Sequence, residues 1–171
     1  GYGQSISGQA KVVLLTFSEA IMFKHILVPT DGSVFSNLAT KSATLLAKAL
    51  EARITTMIVL PAYRVHLDSE GFLMPNIPSL RKRFAAEATV GANKILASIK
   101  RSAALAGVKC QTVLVRNDAP YEAIIEQAKR SKCDLIVMAS HGRRGLEGIL
   151  LGSETQKVLT HSKIPVLVCR R

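Results

Sequence analysis

From Phe23 onward, short runs dense in Val, Ile and Leu alternate with longer stretches whose apolar positions recur every three or four residues. The runs are His25–Pro29, Arg53–Leu60, Gln111–Arg116, Asp134–Ala139 and Val166–Cys169. Their nearly continuous apolar character predicts strands covered on both faces. Alternation with helical periods predicts βαβ units around a parallel sheet. Between the first two runs, Leu38, Ser42, Leu45, Leu46 and Ala49 share one helical face, which is the expected buried face. The next helix is expected over Leu80–Leu105, with Phe84, Ala88, Ile95, Ile99 and Ala103 as its stripe and Gly107 beyond its end. Gly91 inside it costs about 1 kcal/mol relative to Ala. In the third intervening stretch Asp118 is placed to cap a helix whose first turn holds Pro120 and Glu122, with Ile124, Ile125 and Ala128 inward. A last short helix follows Ser153. Residues 61–79 contain Pro61, Pro75, Pro78 and Gly71, and read as a long loop of the kind that forms lids or mobile segments.

The first 21 residues differ from the rest. They open rich in Gly, Ser and Gln, and their apolar stretch Val12–Phe17 is too short for a signal-peptide core. They read as a tag, linker or extension, with one domain over 22–171. No apolar run approaches the roughly 20 residues that cross a bilayer. Cys110, Cys133 and Cys169 are far apart, with no Cys-x-x-Cys pair and no His at metal spacing, so a reducing, cytoplasmic setting is expected and a metal site is not.

The net charge of +11 over 171 residues raises the question of nucleic acid. The cations are dispersed as Arg81-Lys82-Arg83, Lys100-Arg101, Lys129-Arg130, Arg143-Arg144 and Arg170-Arg171, and there is no Trp to stack on bases. Specific nucleic-acid recognition is therefore not expected, while nonspecific attraction at low salt is.

Two segments carry candidate chemistry. Val28-Pro29-Thr30-Asp31-Gly32-Ser33 follows the first strand, at the carboxyl end where open parallel sheets bind ligands. Asp31 there can accept from a ribose hydroxyl, or Thr30, Asp31 or Ser33 can simply cap the next helix. Met138 to Ser153 follows the fourth strand and holds Gly142, Gly145, Gly148 and Gly152, which let backbone N–H groups approach a polyphosphate. The helix start at Ser153 adds an anion site, although Ser153-Glu154-Thr155-Gln156 also fits a capping box. The loop is neither a Walker loop nor a Rossmann fingerprint. His141 has no assignable nucleophile and orienting partner, so no catalytic residue is assigned. His25, His66 and His161 read as structural or surface residues. Asp68 and Glu70 are candidates for holding Mg²⁺ beside a nucleotide, but a solvated loop is the better reading of them.

Ile26-Leu27-Val28-Pro29-Thr30-Asp31-Gly32-Ser33, Asp134 to Gly142, Leu151-Gly152-Ser153 and Pro165-Val166-Leu167-Val168 together resemble the universal stress protein family, from Met22 to Arg171. Its ATP-binding branch carries Gly-x2-Gly-x9-Gly-Ser/Thr; here the frame is Ala139-x2-Gly142-x9-Gly152-Ser153, with Ala in the first place. The resemblance implies a three-layer α/β sandwich, Rossmann-like and adenine-nucleotide-binding, with five parallel strands ordered 3-2-1-4-5. It implies ATP as ligand, with Asp31 at the ribose and the Val59 backbone at the adenine beside Pro29 and Thr30. Met138, Ala139, Ser140, His141, Gly142, Gly152 and Ser153 would surround the phosphates, with Arg143 adding charge. It further implies a nucleotide-dependent stress or signalling module. We expect a homodimer paired through the edge strand Lys163–Cys169, whose outer backbone groups lack a neighbour. A slow ATPase and a nonnucleotide protein-contact module are the alternatives.

Overall fold

The computed structural model describes residues 23–62, 77–141 and 151–170, of which 77–81 are described by backbone alone. The expectations for 1–21, for residues 63–76 of the loop expected over 61–79, and for Gly142, Arg143, Arg144, Gly145 and Gly148 lie outside the described residues. Residues 77–79, expected in that loop, are helical instead. The elements are β1 (His25–Pro29), α1 (Val34–Ala49), β2 (Arg53–Leu60), α2 (Ile77–Leu105), β3 (Cys110–Arg116), α3 (Pro120–Arg130), β4 (Leu135–Ala139), α4 (Ser153–His161) and β5 (Val166–Cys169). All strand pairs are parallel, in the order β3-β2-β1-β4-β5.

Two apolar layers explain why the strands are continuously hydrophobic. On one face Ile26, Val28, Ile54, Leu135 and Val137 pack with Ala43 and Ala47 of α1 and Ala103 of α2. On the other, Leu27, Met57, Ile136 and Met138 pack with Ala123, Ile124 and Ala128 of α3 and Val158 of α4. Every residue of β4 is buried. The direction of strand addition reverses between β1 and β4, and the β1–β4 ladder pairs only Ile26 with Leu135 and Leu27 with Ile136. The carboxyl ends of these two strands therefore part, and a crevice opens there.

The α1 face differs from the expectation. Ala39, Ala43 and Ala47, with Ser36 and Thr40, are the buried positions, whereas Leu45 is 70% and Leu38 39% exposed. Close approach of the helix to the sheet needs small residues, and this requirement outranks the larger side chains' preference for burial. In α2 the buried residues are Ala92, Leu96 and Ala103, with Ile95 and Ile99 half-buried, while Phe84 is 55% exposed. At 29 residues α2 is about 43 Å long, against about 26 Å for a strand of eight, so its first turns overhang the sheet.

Asp118 does not cap α3. Ala119 occupies the N-cap without a side-chain bond, and Asp118 Oδ1 instead accepts from the Ala62 N–H at 2.9 Å, tying the ends of β2 and β3 together. Three helices close by one device, an N–H reaching five residues back after a left-handed residue: Ala52 to Ala47, Val108 to Ala103 and Cys133 to Ala128. The left-handed residues are Glu51 (φ 52°), Gly107 (φ 79°) and Lys132 (φ 54°). Only Gly107 occupies that region without strain.

Candidate functional site at the β1–β4 crevice

The tip of β1 is fixed by short side-chain bonds. Thr30 is buried, its N–H donates to the Met57 carbonyl at 2.9 Å, and its hydroxyl donates to Ser36 Oγ at 2.9 Å. Asp31 Oδ1 accepts from the Ser33 N–H at 3.0 Å, and Ser33 caps α1 by accepting from the Ser36 N–H. Gly32, at φ 77°, makes the turn between them. Of the three capping candidates it is thus Ser33 that caps, which leaves Asp31 at the half-buried lip of the crevice.

Val59 presents backbone to the same space. Met57 directs its carbonyl towards β1, and in a strand the groups two residues on point the same way. β1 pairs with β2 only as far as Pro29 opposite Met57, so the Val59 N–H and C=O project past the end of β1. Leu60 is turned the other way, its carbonyl accepting from Asn117 N–H across β3.

Met138, Ala139 and Ser140 are buried at the tip of β4, and His141 follows at the surface of the crevice. Ala139 lies in the strand, and its φ is not positive, so its methyl group meets no backbone penalty where the family frame carries Gly. The Ser140 hydroxyl and His141 Nδ1 are 3.0 Å apart, and the His141 ring lies 6.0 Å from that of Phe35 at the start of α1. The β1 and β4 tips are thereby held side by side.

The start of α4 closes the site. Gly152 is its N-cap (φ −65°, ψ 150°), with no side-chain cap, and Ser153 is the first helical residue. The capping-box alternative for Ser153 is therefore not realised. Gly152 N–H donates to the Ser140 carbonyl at 2.7 Å, and the buried Thr155 hydroxyl donates to the Ala139 carbonyl at 2.9 Å. These bonds aim the uncapped amides of the first turn at the crevice, where they and the helix dipole favour an anion. Glu154, the acidic residue of that turn, is drawn aside: its carboxylate accepts from the Tyr121 N–H at 2.9 Å and pairs with Lys157 at 2.9 Å. A phosphate would thus not face it directly.

The structure brings Pro29, Thr30, Asp31, Val59, Met138, Ala139, Ser140, His141, Gly152 and Ser153 to one end of the sheet. Sequence reasoning missed Thr155 and Glu154, which position the helix start without facing a ligand. Among the described residues, no three His, Cys, Asp or Glu side chains group as a metal site. Burial pushes the Cys133 thiol up to about 12 and raises that of Cys110, so neither is poised as a nucleophile. Among the described residues no helix is long and apolar enough to cross a membrane.

Residues 22–170 match the sequence model of the Universal stress protein family. A universal stress protein of Methanocaldococcus jannaschii is 36% identical over 151 residues, covering 88% of this chain and 84% of the relative. The solved structure of the protein MJ0577 from the same organism superposes with a TM-score of 0.71 at 29% identity, covering 88% of this chain and 98% of that one. A universal stress protein crystallised in complex with cAMP superposes with a TM-score of 0.59 at 26% identity, over 87% of this chain and 98% of its own.

Proposed function

Because the chain belongs to the universal stress protein family, we propose that it binds ATP in the β1–β4 crevice and serves as a nucleotide-dependent dimeric module in a stress response or in signalling. The observation that carries this reading is the uncapped start of α4 at Gly152, bonded to the tip of β4 and aimed into the crevice. The cAMP complex of a relative supports an adenine nucleotide as the ligand class. In this reading adenine hydrogen-bonds to the Val59 backbone beside Pro29 and Thr30, Asp31 accepts from a ribose hydroxyl, and the phosphates sit against Ser140, His141, Gly142, Arg143, Gly152 and Ser153. The described residues fit a polyphosphate: backbone N–H groups, a Gly at the helix start, and the Glu154 carboxylate drawn aside to Tyr121 and Lys157.

Dimerisation would use β5, a sheet edge of four residues whose Leu167 is 44% exposed. Pairing with a second copy satisfies its outer N–H and C=O groups. The deciding experiment is to denature the purified protein and identify released nucleotide by mass spectrometry, then titrate the stripped protein with ATP, AMP and cAMP by calorimetry. ATP released, or bound most tightly, is expected. No binding of any of the three would remove the nucleotide reading.

A further inference from the structure

Cations that look scattered along the chain are gathered by the topology. In a parallel sheet every strand enters from one end, and here each of the five strands is preceded or begun by an exposed basic residue: Lys109 at β3, Arg53 at β2, Lys24 at β1, Lys132 at β4 and Lys163 at β5. Backbone bonds show how close the neighbours are. Arg53 N–H donates to the Lys24 carbonyl at 3.0 Å, and Ile54 N–H to the Lys109 carbonyl at 2.8 Å. With strands about 4.8 Å apart, the five charges form a row about 19 Å long. Flanking it, the last turns of α1 and α3 add Lys48 on one layer and Lys129 and Arg130 on the other.

Helix C-termini attract cations, each end carrying a partial charge of about −0.5. Four helix ends amount to about −2, which eight cations exceed several-fold. Among the described residues the acidic ones at this end are Glu51 and Asp134, with Glu126 one turn before Arg130, and both oxygens of Asp134 are occupied by the backbone N–H groups of Lys24 (2.7 Å) and His25 (3.0 Å). Among the described residues none of the five row cations is in an ion pair. At the opposite, nucleotide end the described charges are mixed in sign: Asp31, Glu87, Asp118, Glu122 and Glu154 with Lys82, Arg83, Arg116 and Lys157.

We propose that this row is a docking surface for the sugar-phosphate backbone of double-stranded nucleic acid, bound without base readout. The occupant follows from the row's shape and chemistry. It is linear, and about 19 Å matches roughly six base pairs at 3.4 Å rise, a stretch rich in phosphate. Among the described residues no aromatic side chain is offered for stacking at this end, since Phe23 packs against the core; single strands are therefore disfavoured. Among the described residues no helix dips an apolar face there, so a lipid surface gains little beyond charge; Leu105, 91% exposed, and Leu159, 40% exposed, stand at the ends of different helices. The surface lies at the far end of the sheet from the crevice, so it stands or falls independently of nucleotide binding.

The test uses the full chain and a fluorescent DNA duplex of about 20 base pairs, followed by anisotropy across salt. Five phosphate contacts predict a slope of log affinity against log salt near −4.5, or about a 500-fold loss between 50 and 200 mM salt. Lys109→Glu/Lys132→Glu/Lys163→Glu should cut the slope to about −1.8 and that loss to about 12-fold. The control Lys82→Glu/Arg83→Glu/Lys94→Glu on α2 makes the same change in net charge at exposed positions away from the row, and should keep most of the affinity. Circular dichroism shows whether each variant is folded; if the triple row variant is not, Lys109→Gln and Lys163→Gln singly, each removing about 0.9 from the slope, carry the test. Equal losses in the two triple variants would reduce the effect to net charge and overturn the proposal. So would binding to vesicles containing about a third phosphatidylserine without binding to the duplex.

Discussion

Gly152→Asp separates the two things that the start of α4 does, because it should move stability and ligand affinity in opposite directions. At the N-cap, with φ −65° and ψ 150°, the backbone is open to any residue, so glycine is not needed there for conformation. The position lacks a side-chain cap, and Asp is among the best N-caps. Relative to Gly the cap gains a few tenths of a kcal/mol, and a carboxylate at the positive helix end gains about 0.3–1 kcal/mol more. A chain of this length converts each kcal/mol into about 2–4 °C, so thermal unfolding should stay level or rise by up to about 5 °C. Against a bound phosphate the same carboxylate is repulsive: two unit charges about 4 Å apart at an effective dielectric of 20 cost about 4 kcal/mol. That is nearly a thousandfold in affinity. The assay pairs calorimetric titration with ATP and a thermal melt on one preparation. Undiminished ATP affinity would show that the phosphates do not lie at α4. A fall of many degrees would show that Gly152 is needed for packing, and the reasoning about an open cap would fail.

Ser153→Ala should weaken ATP binding by about 1 kcal/mol, roughly fivefold, without lowering thermal stability, since Ser153 lies inside the helix rather than at its cap; a matching loss of stability would contradict the cap assignment. Ala43→Leu should cost about 1–3 kcal/mol in urea unfolding through overpacking against the sheet, whereas Leu45→Ala should cost under about 0.5 kcal/mol; the reverse order would refute the small-residue face. Gly107→Ala should cost about 1 kcal/mol from its left-handed backbone alone, because an added methyl meets nothing within 4 Å, while Glu51→Gly should stabilise by a similar amount. His25 is buried and its ring is held below the ordinary value, first by burial and then by the charge of Arg53, with the Ser131 backbone and Asp134 pulling the other way. The unfolded chain therefore takes up this proton more readily. The stability it confers is present above about pH 6.5 and lost below, by up to about 1.4 kcal/mol per pH unit; His25→Gln should flatten that part of the urea-midpoint profile.

Strand bounds were legible because the runs are nearly continuous in Val, Ile and Leu: His25–Pro29, Arg53–Leu60 and Val166–Cys169 are strands over those residues, and the remaining two differ by one at their first residue. Burial on both faces holds for β1, β2 and β4, while no residue of the edge strands β3 and β5 is fully buried. The strand order was legible through the resemblance to a family. The α1 face was not, since periodicity weighs Leu above Ala, and at this interface the distance between helix and sheet decides. Asp118 has the composition of a cap, yet its partner, the Ala62 amide, is 56 positions away, which no local pattern reveals. Thr155 and Asp134 were missed for the same reason. Their partners are backbone atoms of other strands, set by tertiary placement. The row of cations was visible residue by residue, but only the common direction of the strands makes it a row.

The short β1–β4 ladder has a consequence for how the chain is made. β1 precedes the other four described strands in the chain, while Asp134, which clamps the Lys24 and His25 amides, lies 110 and 109 residues later. At translation speeds of about 5–20 residues per second, the β4 side of β1 waits about 5–20 s for its neighbour. β2, β3 and their helices can already have assembled on the other side. Through that interval Ile26, Leu27 and Val28, all fully buried in the finished protein, belong to an open edge able to pair with any extended chain nearby. Nascent chains stalled before β4 should therefore be the aggregating species, and fragments ending near Arg116 should be insoluble even though they contain three of the five strands.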